Sequence, residues 1–96
     1  MKVHIHVSHS LIKVDETVQA KTAEEIVTIV KGKVHDKSPF AMKLLLRSMS
    51  NQMFMQEIVK RYNSEVKPPK PLPIPTNADE FLKIATEIGV ATILEP

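Results

Sequence analysis

Residues 2–20 read KVHIHVSHSLIKVDETVQA, and this stretch decides the fold. From residue 2 to residue 8 the side chains alternate: Val3, Ile5 and Val7 share one parity, and Lys2, His4, His6 and Ser8 share the other. Period two with β-branched residues marks a half-buried strand, because successive side chains leave opposite faces of the pleat. His9-Ser10 reads as a turn. Ile12, Val14, Val18 and Ala20 again share one parity, which predicts a second strand over 11–20, with Asp15-Glu16 marking a bulge or a bend. So short a connection makes the two strands an antiparallel hairpin.

Beyond the hairpin the period changes to that of helices. Thr22 is an expected N-cap, and Glu24 and Glu25 in the next turn suit the positive end of the helix dipole. Ile26, Val27 and Val30 form the stripe of a helix over 22–33, weakened near its end by Gly32. Ser38-Pro39 predicts a second helix start, with Ser38 as cap and Pro39 at the first helical position. Met42, Leu45, Leu46, Met49 and Met53 follow helical spacing; Phe54, Ile58, Val59 and Tyr62 continue it on a shifted face. Ser48, Ser50 and Asn51 between the two sets predict two helices, 39–48 and 51–63, the second capped by Ser50 or Asn51.

Residues 67–75, KPPKPLPIP, exclude a helix and favour an extended connector, with Leu72 and Ile74 tucked into the core. Thr76-Asn77 caps a last helix, and Gly89 stops it. Residues 90–94 then read as a third strand, central or well covered, lying parallel to the first through a right-handed crossover. The expected fold class is α+β: one domain over 1–96, with a three-stranded sheet covered by about four helices. The opening hairpin-then-helix, over residues 2–34, resembles the start of the ubiquitin-like β-grasp. That resemblance is one of pattern, the helical segment that follows departs from the family, and no function is carried over.

Composition narrows the function classes. With 43% apolar and 25% charged residues the chain matches an ordinary globular domain. It has no cysteine, which removes disulfides, thiolate metal sites and a cysteine nucleophile, and fits a reducing, cytoplasmic setting. Only Gly32 and Gly89 are glycines, so neither a Walker loop nor a dinucleotide-binding GxGxxG loop can form. No apolar run reaches the ~20 residues that span a bilayer, so no membrane association is expected. Residues 31–70 carry nine basic and three acidic side chains, a local +6 within a net charge of +2.

Three sets of candidate residues follow. His4 and His6, two apart on a strand, put both imidazoles on one face, a spacing that can share a metal ion; the alternative is a solvated outer face of the sheet. Lys60 and Arg61, with Asn51, Gln52 and Gln56 nearby, give the segment after residue 51 part of a nucleic-acid-binding footprint, against which stand its apolar residues and the lack of Trp. Met53 and Met55 lie in a Met-rich segment with apolar residues on nearly two faces, which fits a protein partner or a second copy of the chain as well as a core. No acid, base or nucleophile is poised by spacing alone. The leading expectation is a non-enzymatic, cofactor-free interaction or regulatory module contacting its partner through Met53, Met55, Lys60 and Arg61. A nucleic-acid-binding regulator and a metal-binding protein built on His4 and His6 are the alternatives.

Overall fold

Alternation along the N-terminal stretch produces two paired strands. The computed structural model describes residues 1–9 and 12–96, the side chains of His9 and Ile12 excepted, and has β1 (Lys2–His9) antiparallel to β2 (Ile12–Gln19). His9, expected in the turn, is instead the last residue of β1, paired with Ile12; the rest of the expected turn and the strand start at Leu11 fall at residues 10 and 11, outside the described residues. Pairing is continuous from Lys2↔Gln19 to His9↔Ile12, so no bulge interrupts β2 at Asp15-Glu16. Glu16 takes a place in the inward row between Val14 and Val18. Its carboxylate is met by Lys33 Nζ at 3.2 Å, which is how a charge is tolerated at the margin of the core.

Four helices follow: α1 (Ala23–Asp36), α2 (Phe40–Ser48), α3 (Asn51–Val66) and α4 (Ala78–Glu87). β3 (Ala91–Glu95) then completes a three-stranded sheet in the order β2-β1-β3. The α+β class is as read from the sequence; the placement of β3 is not. It runs antiparallel to β1, from Ala91 beside Ile5 to Glu95 beside Lys2, and forms an edge with residues 92–95 exposed. The parallel rule governs one crossover between consecutive strands. Here β2, three helices, a proline segment and α4 intervene, and α4 delivers the chain to the middle of β1, where the His6 amide donates to the Val90 carbonyl at 2.9 Å.

The helix ends show which local signals were used. Thr22 accepts from the Glu25 amide and caps α1 as expected. That helix continues past Gly32 to Asp36, because Val34 extends its buried stripe. Ser38 does not cap α2. Its buried hydroxyl donates to the Val34 carbonyl, closing the end of α1, and α2 begins at Phe40 without a side-chain cap. Ser50 caps α3, which runs to Val66 and stops at Lys67 in the left-handed conformation ahead of the prolines. At α4, Asn77 Oδ1 accepts from the Glu80 amide while Glu80 Oε2 accepts from the amide and hydroxyl of Thr76, a reciprocal cap.

The core lies between the inner sheet face and the helices. Val3, Val14, Ile26, Val27, Phe54 and Met55 are each 1% exposed or less. Phe54 and Phe81 join α3 to α4 with ring centroids 6.4 Å apart and tilted, a geometry that adds ~0.5–1.5 kcal/mol to the burial itself. Leu45 and Met53, expected on the buried stripe, are both 52% exposed. In the proline segment Leu72 packs on the core as expected, but Ile74 is exposed and Pro75 is buried in its place.

Candidate functional site

The histidine pair lies on the open face of the sheet. Parity sets His4 and His6 opposite to Val3 and Ile5, and the register puts Thr17 beside His4 and Asp15 beside His6. The imidazole centroids are 5.2 Å apart, and His4 Nε2 sits 2.6 Å from Asp15 Oδ1 with the carboxylate largely in solvent. Among the described residues no group of three or more His, Asp or Glu side chains is placed to hold a metal ion. What the arrangement provides is a solvent-facing His–Asp contact that fixes the ring orientation of His4.

The residues singled out along α3 separate. Met55 is a core residue, 1% exposed, whereas Met53 two positions earlier faces solvent. Lys60 and Arg61 are exposed, Lys60 in a loose pairing with Glu57 at 3.8 Å. The amides that would read bases are engaged within the fold. Asn51 Nδ2 donates to Glu24 Oε1 and Thr28 Oγ1 on α1, and Gln52 Nε2 donates to the Pro75 carbonyl.

Sequence reasoning missed the outward face of α2. Of its nine residues only Leu46 is buried. Phe40 is 75% exposed, Leu44 51% and Leu45 52%. Phe40 and Leu44 are one turn apart, as are Ala41 and Leu45, so these side chains form one apolar strip. Lys43 and Arg47 accompany it, the latter donating to His35 Nε2 on α1 at 3.2 Å. The signal was present in the sequence: FAMKLLLRS is apolar nearly all round, and a helix of that kind in so small a domain cannot bury every side.

The second missed feature is a cavity of about 340 Å³ between the inner sheet face, α1, α3 and α4. Its walls are apolar, with Val30, Phe81 and Ala85 at its depth and Val7, Ile58 and Ile88 partly exposed. The polar groups on its lining, Ser8, Arg61, Tyr62 and Glu65, are all at least partly exposed and mark its mouth. A closed void of that size would cost on the order of 8 kcal/mol at ~24 cal/mol per Å³, as much as the whole stability of many domains. The space is instead an open cleft, and its lining offers entering water few hydrogen-bond partners.

Comparison with known proteins adds no assignment: no protein-family model, no curated protein and no solved structure is significantly similar to the chain. Among the described residues no helix is long and apolar enough to cross a membrane.

Proposed function

We propose that the chain is a non-enzymatic, cytoplasmic protein-interaction module that binds an acidic partner through the outward face of α2. One observation carries the reading: a nine-residue helix that buries only Leu46 while turning Phe40, Leu44 and Leu45 to solvent. Isolated exposed apolar residues are commonplace, but an aromatic and two leucines on one helix face form the apolar centre that interfaces use. Charge selects the partner. Residues 31–47 hold five Lys or Arg against the single Asp36, so an acidic segment with apolar anchors is complementary, whereas a second copy would set like charge against like. The cysteine-free composition agrees with a reducing compartment. Met53, exposed near the start of α3, is kept as a candidate contact outside α2; Met55, in the core, is not.

A photo-crosslinking phenylalanine analogue in place of Leu44, used in cells, tests this. Crosslinks that map to an acidic, apolar-anchored segment of one protein, and that disappear with Phe40→Glu, support the module. Crosslinks joining two copies of the chain would replace the acidic partner with self-association. A folded variant that forms no specific crosslink would remove α2 as the binding surface.

A further inference from the structure

We infer that the cavity between the sheet, α1, α3 and α4 binds a small amphiphile: an apolar chain of medium length ending in a carboxylate. The observations are independent of α2. Ligand cavities span roughly 300–1,000 Å³, and one of about 150 Å³ takes benzene, so about 340 Å³ has room for a chain of roughly ten carbons. The depth of the site is walled by Val30, Phe81 and Ala85, which offer a bound chain dispersion contacts and no hydrogen bonds. No buried side-chain polar atom among the described residues lacks a partner, so nothing inside calls for a polar ligand group. A head group would therefore stay at the mouth.

There Arg61 decides the charge. It is exposed and makes no hydrogen bond or ion pair with any described residue, and its guanidinium fork matches a carboxylate. Glu65, one turn further along α3, also lines the mouth but is already engaged in an interaction within the fold. Tyr62 also lines the entrance. Leu72 closes part of the wall and is held there by Asn63, so the proline segment shapes the pocket.

The probes are decanoate, decanol and decylamine, titrated into the purified chain by calorimetry and followed by the methyl resonances of Ile58 and Ile88. Decanoate is expected to bind one-to-one, shift both residues, and bind more tightly than decanol. Arg61→Gln should weaken decanoate about tenfold, the effect of losing a charged hydrogen bond, and leave decanol unchanged. Ile58→Trp, filling the half-buried mouth, should abolish binding of both. If decanol or decylamine binds as well as decanoate, or if Arg61→Gln leaves decanoate affinity unchanged, the carboxylate assignment is overturned. If none of the three binds the folded protein, the cavity is not a ligand site. Should Ile58→Trp fail to fold, the exposed Arg61→Gln variant still decides between these outcomes.

Discussion

The side chain of Asn63 holds the backbone of Leu72 from both sides: its Nδ2 donates to the Leu72 carbonyl at 3.0 Å, and its Oδ1 accepts from the Leu72 amide at 2.8 Å. An extended proline segment has no internal hydrogen bonds, so its position must be fixed from outside. Asn63 does this near the middle and Gln52, on the Pro75 carbonyl, near the end. Leu72 is thereby pressed on the core.

Removing that clamp should loosen the segment. Asn63→Ala leaves a partly buried amide and carbonyl without protein partners, at a cost of about 1–3 kcal/mol. A domain of this size should lose several degrees of melting temperature, at ~4–8 °C per kcal/mol. Asn63→Asp keeps the acceptor for the Leu72 amide but turns a second oxygen towards the Leu72 carbonyl, so it should not restore stability. A melting temperature unchanged in Asn63→Ala would show that packing alone positions the segment.

Gly89 ends α4 with φ 82°, and the bonds from the Gly89 amide to Thr86 and from the Val90 amide to Ala85 close the paired C-terminal motif. A Cβ added there meets nothing within 4 Å, so only backbone strain opposes a side chain. Gly89→Ala should cost about 1 kcal/mol, the left-handed penalty less the reduced freedom of the unfolded chain. Urea titration at unchanged m-value is the check. Gly32, helical with equally open space around it, should tolerate or gain from alanine.

Glu80 supplies a pH dependence. The backbone amide of Thr76, and then its hydroxyl, hold the Glu80 carboxyl below its ordinary value. A carboxyl whose folded value is depressed stabilises the fold above its unfolded value, and that contribution is lost as pH falls through the folded value. Glu80→Gln should therefore be less stable than the parent at neutral pH, and the gap should close in acid below the carboxylate range. A gap that persists at low pH would assign the effect to packing instead of charge.

How much of this was legible depends on the range of the force involved. The hairpin, the cap at Thr22, the start of α3 at Ser50 and the stop at Gly89 follow from neighbours in sequence. The direction of β3 does not, because it is set by where α4 ends after the whole helical layer and its connectors, from Ala23 to Glu87. Ser38 misled for a related reason: it served as a cap in the local reading, but its hydroxyl is used by the helix before it. The cavity was invisible because its walls come from the sheet, three helices and Leu72. Periodicity names the residues that turn inward; it does not say whether they fill the space they share.

Met53 and Met55 make the sharpest contrast between sequence and structure. Two positions apart on α3, they are 52% and 1% exposed. Met55→Glu would bury a carboxylate in the apolar core cluster that also holds Phe54 and Val59. Such a charge costs more than ~4–5 kcal/mol, the diagnostic extreme for one substitution, and takes up most of a small domain's stability. The variant should be largely unfolded by circular dichroism at room temperature. Met55→Ala should cost about 2–5 kcal/mol through the cavity it leaves. Met53→Glu, in solvent, should stay within about 0.5 kcal/mol of the parent. Only Met53→Glu can therefore report on association, and a loss of binding in Met55→Glu carries no information about the surface. Should Met55→Glu fold with native stability, α3 would have to be rotated so that this side chain reaches solvent, and the core assignment of Phe54 beside it would fail as well.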